Sequence, residues 1–207
     1  MGTYLIGIAG PSGSGKSELS RRLAQRLHAP VISMDSYYRE LHHLTLAERA
    51  AVNFDEPASI DDELLREHLS AIREGQPVEI PRYDFATHAR LPEADPLAPS
   101  AVVVLEGLFT LYWEEMRRLL DTTVYVDLED EICYARRLAR DIRERGRTPE
   151  CVERQYRTTV KPMAEQYILP TKRHAKVVVR GDGQLDESVE AVLVTTALWR
   201  RPSDARV

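Results

Sequence analysis

Lys16 and Ser17 are the first residues in the chain whose types and spacing could do chemistry. They close the stretch Gly10-Pro11-Ser12-Gly13-Ser14-Gly15-Lys16-Ser17, which fits GxxxxGK(S/T) at every fixed position. Glycine lets the backbone curl until successive N–H groups face phosphate oxygens, and a following helix adds the positive end of its dipole. Lys16 then meets the β and γ phosphates of a nucleoside triphosphate, ATP or GTP, and Ser17 meets a magnesium ion. A flexible Gly/Ser loop with a surface lysine would need no particular flanks. Here the apolar run Tyr4–Ala9 precedes the loop and a helical pattern follows it, which is the context phosphate binding requires.

Phosphoryl transfer asks a protein for charge neutralisation, alignment and a group that accepts the proton of the attacking hydroxyl. Asp35 follows the short apolar run 31–34. Open α/β sheets gather ligands at the C-terminal ends of their strands, so Asp35 is the candidate general base. Glu106 ends the run 102–105 and is placed to hold the magnesium, directly or through water, opposite Ser17, although aspartate is the usual acid there. Arg136, Arg137, Arg140, Arg143, Arg145 and Arg147 crowd one stretch against only Asp141 and Glu144. Arg136/Arg140 and Arg137/Arg140 share a helix face. Their mutual repulsion asks for an anion among them, which predicts an arginine-rich lid over about 136–155 that faces phosphate. His88, flanked by Tyr83 and Phe85, reads either as a stacking and hydrogen-bonding cluster for an aromatic ligand or as hairpin packing.

These residues need a frame. Leu19, Leu23 and Leu27 predict a helix from the loop to His28. A second strand covers 31–34. Thr45 and the run Ser59-Ile60-Asp61-Asp62 carry helix-start spacing, the second leading through Leu64, Leu65, His68, Leu69 and Ile72 to a stop at Gly75. Over 76–99, Val78 and Ile80 alternate as in a strand, but five prolines forbid a central one. An inserted edge hairpin with its tip at 86–88 is expected. Further strands fall at 101–105, 123–126 and 177–179, and further helices at 111–120, 130–146, 148–168 and 185–199. Strands alternating with helices predict an α/β domain with a parallel sheet of about five strands, flanked by helices in the manner of P-loop NTPases. One domain over 1–199 and a loose tail at 200–207 account for the 207 residues.

Composition narrows the partners. With 43% hydrophobic residues and a formal net charge of −5, no global field favours nucleic acid or an anionic membrane. Cys133 and Cys151 lie outside any CxxC spacing and read as thiols of a reducing compartment. No apolar run reaches the length of a membrane span, and no charged-then-apolar leader precedes the first strand, so a soluble cytoplasmic protein is expected. Asn53 is the only asparagine, which excludes the NKxD guanine reader of switch GTPases; a P-loop switch or motor is the alternative of a different class.

Taken in order, Ser33-Met34-Asp35-Ser36-Tyr37-Tyr38, Asn53-Phe54-Asp55-x-Pro57, Tyr83-Asp84-Phe85-x-x-His88-x-Arg90, Leu105-Glu106-Gly107, Arg136-Arg137-x-x-Arg140-Asp141-Ile142-x-Glu144-Arg145-Gly146-Arg147 and Leu169-Pro170-Thr171-Lys172 resemble the uridine kinase (uridine-cytidine kinase) family. The likeness runs from about residue 4 to 182. It implies transfer of the γ-phosphate of ATP or GTP to the 5′-hydroxyl of uridine or cytidine, with Mg2+, in pyrimidine salvage. By that resemblance Asp35 is the base, Asp55 holds the ribose hydroxyls, Tyr83 and Phe85 pack on the pyrimidine and His88 reads its edge. Arg137, Arg147 and Gln155 match further positions around the nucleoside, Arg140 and Arg145 match lid arginines near the phosphates, and a homotetramer has precedent. The chain departs from the family pattern at Glu56 to Asp61, where a histidine usually precedes the proline, and at Arg180-Gly181-Asp182, which is one residue shorter. A kinase for another small alcohol, a sugar phosphate or a vitamin precursor, is the alternative on the same scaffold.

Overall fold

The computed structural model describes residues 2–196; the expected end of the last helix at 197–199 and the tail at 200–207 lie outside the described residues. β1 (Tyr4–Ala9) leads through the glycine loop into α1 (Lys16–Leu27), and β2 (Val31–Ser33) follows. A 3-10 turn (Met34–Tyr37), α2 (Leu46–Ala50) and α3 (Asp62–Arg73) precede an antiparallel pair, β3 (Val78–Asp84) and β4 (Ala89–Leu97). Then come β5 (Val102–Glu106), α4 (Glu114–Leu119), β6 (Thr122–Asp127) and α5 (Asp130–Arg145). α6 (Pro149–Gln155) runs on through π-helical turns at Tyr156–Val160 and Ala164–Ile168 around α7 (Lys161–Met163). A 3-10 segment (Leu169–His174), β7 (Val177–Arg180) and α8 (Leu185–Thr195) complete the described chain.

Five strands form one parallel sheet in the order β2-β5-β1-β6-β7. Both faces are covered, which is why its strands read as continuous apolar runs rather than alternating ones. Successive side chains still alternate between faces. Leu5, Ala9, Val103, Leu105 and Tyr125 join the core under α3 and the Ile168 turn, while Ile6, Ile8, Val104, Val124 and Val126 pack against Leu19 and Leu23 of α1 and Val192 and Leu193 of α8. Parallel register sets Ile8 beside Glu106 and Ser33 beside Glu106. The glycine loop, the segment after β2 and the end of β5 therefore emerge together at one sheet edge.

Four local expectations are corrected. Asp35 does not sit at the end of a strand: β2 stops at Ser33 and Asp35 lies in the 3-10 turn, because the chain swings away to bridge Tyr38 with Ile60. The third helix starts from Asp61, whose Oδ1 accepts from the Leu64 N–H at 3.3 Å, while the Ser59 hydroxyl is turned to the Glu56 carbonyl at 2.6 Å. The helix expected over 111–120 shrinks to α4, since Tyr112 N–H closes a turn on Phe109 O and the rings of Phe109, Tyr112 and Trp113 pack edge to face there. The hairpin is not an edge of the main sheet but a two-stranded sheet of its own. Pro81, Pro92 and Pro96 are tolerated within it because each strand has a free edge.

Candidate active site

The glycine loop is tight for a steric reason. Gly13 adopts φ 85°, and a Cβ there would lie 2.3 Å from the Cys133 carbonyl oxygen; only glycine fits. Gly15 occupies the left-handed region just before α1, and no side chain caps that helix. Its first N–H groups are left for an external anion. Among the described residues the buried Ser14 hydroxyl also finds no partner, so the cradle formed by Gly10, Pro11, Ser12, Gly13, Ser14 and Gly15 has donors to spare for phosphate.

One cleft at this sheet edge is lined by Ser12, Lys16, Ser17, Asp35, Asp55, Tyr83, Phe85, His88, Glu106, Arg137, Arg140, Arg145, Arg147 and Gln155. These expected residues thus meet in one place, although they come from seven separate stretches of chain. Ser17 Oγ donates to Glu106 Oε2 at 3.1 Å and Ser33 Oγ to Oε1 at 3.0 Å, which fixes the carboxylate. Asp35 faces this group. Burial and the Glu106 carboxylate push its pKa up, against the pull of Lys16, Arg145 and Arg140. Asp55 is 7% exposed and its pKa is likewise raised by burial, opposed by Arg137 and Arg147. An Asx turn places it, with Asn53 Oδ1 accepting the Asp55 N–H at 3.1 Å, and Arg137 Nη1 stands 4.0 Å from its Oδ1.

Arg137 ties the two halves of the cleft. Its Nη1 donates to Ser12 Oγ of the glycine loop at 2.9 Å and its Nη2 to Gln155 Oε1 at 3.2 Å; Gln155 Oε1 also accepts from Arg147 at 2.7 Å. The opposite wall is aromatic. His88 stacks on Phe54 with ring centroids 5.0 Å apart, Tyr83 meets Tyr38 at 5.1 Å and Phe85 at 5.3 Å, and the Arg145 guanidinium lies over the Phe85 ring. The hairpin that carries this wall is anchored by Arg90. Its guanidinium donates to Tyr38 O at 3.0 Å and to Asp61 Oδ2 at 3.3 Å, joining β4 to the turn that holds Asp35.

Three lining residues had been given no part: Tyr38, Phe54 and Leu108. The first two are aromatic neighbours of Asp35 and Asp55 in sequence, a signal that could have found them. Leu108 carries none. In the lid stretch the anion set among the arginines includes one of the chain's own: Arg137, Arg140, Arg145 and Arg147 converge on Asp141, while Arg136 donates to Gly181 O and Arg143 pairs with Glu144, outside the cleft.

Among the described residues no cluster of three or more His, Cys, Asp or Glu side chains forms a self-sufficient metal site. Ser17 and Glu106 instead offer one hydroxyl and one carboxylate beside the phosphate cradle. That sparse set fits Mg2+, which keeps several waters and takes phosphate oxygens as ligands.

Comparison with known proteins sharpens this picture. The model of the phosphoribulokinase / uridine kinase family matches residues 5–186. The chain belongs to that family. A uridine kinase of Chloroflexus aurantiacus is 41% identical over 209 residues, covering 98% of this chain and all of that protein. One from Deinococcus deserti is 42% identical over 190 residues, covering 90% and 92% of the two chains. Among solved structures, phosphoribulokinase from Rhodobacter spheroides superposes with a TM-score of 0.66 at 16% identity, covering 86% of this chain and 70% of that one, a likeness of fold alone. Family membership makes the chain a phosphotransferase with an alcohol group as acceptor.

Proposed function

We propose that this chain is a uridine/cytidine kinase that moves the γ-phosphate of ATP to the nucleoside 5′-hydroxyl, giving UMP or CMP in pyrimidine salvage. The observation that carries the reading is the division of one cleft into a phosphate cradle with Lys16, Ser17 and Glu106 and an aromatic, carboxylate-bearing wall with Asp55 and His88, with Asp35 between them. The relatives' names supply the acceptor class. Asp35 takes the proton of the 5′-hydroxyl as that oxygen bonds to the γ-phosphorus, and the bond to the β-phosphate oxygen breaks with its electron pair leaving on ADP. Lys16, Arg140 and Arg145 neutralise charge on the transferring group. Bound at Ser17 and Glu106, Mg2+ would supply charge neutralisation to the β and γ oxygens. Asp55 accepts from the ribose hydroxyls, with Arg137, Arg147 and Gln155 bracketing the sugar, while Tyr83 and Phe85 flank the base. No helix among the described residues is long and apolar enough to cross a membrane. A cytoplasmic homo-oligomer completes the reading, to be checked by light scattering.

A coupled ADP-release assay across uridine, cytidine, ribulose 5-phosphate and pantothenate, with ATP and GTP as donors, tests the reading. Turnover only with the pyrimidine nucleosides supports it. Turnover without an added alcohol, or preference for a non-nucleoside, overturns it.

His88 gives a more local prediction. Burial and the neighbouring Arg147 push its pKa below 6.5, so the ring is neutral at pH 7 and can both donate to and accept from a base edge. Replacement by Ala is expected to raise the nucleoside KM about 3- to 10-fold with kcat nearly unchanged. As pH falls through the lowered pKa the ring gains a charge beside Arg147 and Arg145. The wild-type KM for nucleoside should therefore stay level from pH 8 down to 6.5 and change only below that. A KM transition centred above 6.5 in the wild type would assign the titration elsewhere.

A further inference from the structure

Asp141 lines no part of the cleft, yet it is 0% exposed. Its two oxygens serve four guanidiniums. Oδ1 accepts from Nε and Nη2 of Arg140 at 2.9 and 2.8 Å and lies 3.7 Å from Nη1 of Arg145. Oδ2 accepts from Nη1 of Arg147 at 3.1 Å and lies 3.7 Å from Nε of Arg137. The backbone turns around the same residue: its carbonyl accepts the N–H of Arg147 at 3.2 Å, as the chain leaves α5 through the left-handed Gly146.

Four arginines held close without a counter-ion would repel, and a carboxylate buried without a partner would be driven out or protonated. Each problem cancels the other here. Burial pushes the Asp141 pKa up, but Arg137, Arg140 and Arg145 outweigh it and hold the group below the ordinary carboxylate range, so it stays charged. Among the described residues, Asp141 is the sole ion-pair partner of both Arg140 and Arg145. Among the described residues, no other carboxylate pairs with these two long side chains where they line the cleft.

We propose that Asp141 is the positioning residue of the lid, a single internal carboxylate that orients Arg137, Arg140, Arg145 and Arg147 before the reacting phosphates arrive. The proposal rests on the phosphotransferase reading of the cleft. Donors aimed in advance at developing charge are what lower a phosphoryl-transfer barrier, and an arginine free to sample its rotamers does this poorly. Arg140 spends Nε and Nη2 on Asp141, which leaves its Nη1 for a ligand.

The test is Asp141→Asn, which keeps size and removes charge, with Asp141→Glu beside it. Active sites are counted by ADP titration calorimetry, and turnover per site is measured with whichever alcohol the wild type accepts. A failed nucleoside reading then appears as acceptor preference and leaves this result readable. Asp141→Asn is expected to lower kcat about 100-fold per ADP-binding site while ADP affinity changes less than about threefold. Arg140→Ala and Arg145→Ala should each lower kcat in the native background, but by less than about threefold when added to Asp141→Asn, because the residues act as one unit. Effects that multiply, or kcat per site kept within about threefold, overturn the proposal. So does a lowered Tm with kcat per site unchanged, which is the signature of a structural role alone. If Asp141→Asn binds no ADP, the cycle is run on Asp141→Glu, with the same outcomes; if neither variant binds ADP, Asp141 belongs to the fold and the proposal falls.

Discussion

The Asp35→Asn enzyme is expected to lose about 10^3 in kcat while keeping ADP affinity within about threefold. Asp35 lies where the phosphate side and the acceptor side of the cleft meet, beside Lys16 and within the field of Glu106, Arg140 and Arg145. Burial first, and Glu106 second, raise its pKa above the ordinary 3.8. A carboxylate of raised pKa is a better proton acceptor than an exposed one, and the asparagine amide accepts no proton at all. The sign of the linkage guards against a trivial outcome. With a folded pKa above the unfolded one, ionised Asp35 weakens the fold; the penalty is absent below 3.8 and complete once pH has risen past the raised value. Asp35→Asn should therefore be at least as stable as the wild type at pH 7 by thermal melting. Near-normal turnover in a well-folded Asp35→Asn protein would remove Asp35 as the base.

Discrimination at the sugar is the second large effect. Asp55 is 7% exposed, its N–H tied to Asn53 and its carboxylate faced by Arg137, so a missing hydroxyl partner leaves a largely desolvated acceptor short of a hydrogen bond. A site built to hydrogen-bond a substrate hydroxyl rejects the analogue lacking it far more strongly than a site that merely excludes bulk. If Asp55 accepts from the ribose hydroxyls, 2′-deoxyuridine should fall about 10^3-fold below uridine in kcat/KM, and Asp55→Asn should narrow that gap to about tenfold by losing activity on uridine. Steady-state kinetics of both enzymes on both nucleosides gives the four numbers needed. Equal use of the two nucleosides by the wild type, or an unaltered gap in the variant, would take the sugar contact away from Asp55.

The places where sequence reasoning succeeded and failed have physical causes. Glu106 ends β5, the glycine loop that delivers Lys16 and Ser17 starts where β1 stops, and parallel register carries both places to one edge whatever lies between them. Asp35 reached the same edge by a different path, a 3-10 turn that no apolar period announces. Asp55 sits in an irregular stretch and entered only through likeness to a family; its surroundings come from Arg137 and Arg147, far along the chain, and no local pattern encodes that meeting. His88 could not be assigned from Tyr83 and Phe85, since the ring it stacks on, Phe54, belongs to another segment. The arginine stretch carries the net positive charge its sequence shows, but spacing alone could not reveal that Asp141 is wholly buried and shared by Arg137, Arg140, Arg145 and Arg147.

The hairpin of β3 and β4 shares no strand pairing with the main sheet. Two strands alone are marginal in water, so its place depends on Arg90, on the rings of Tyr38 and Tyr83, and on Val78, Ile80 and Leu97, which pack into the core shared with α3. The main sheet completes its ladder without the hairpin, so changes confined to the turn at 85–88 leave intact the strand pairing that carries the glycine loop and Glu106. That turn, rather than the strands held by Arg90 and the core, is therefore the stretch to vary in redesign.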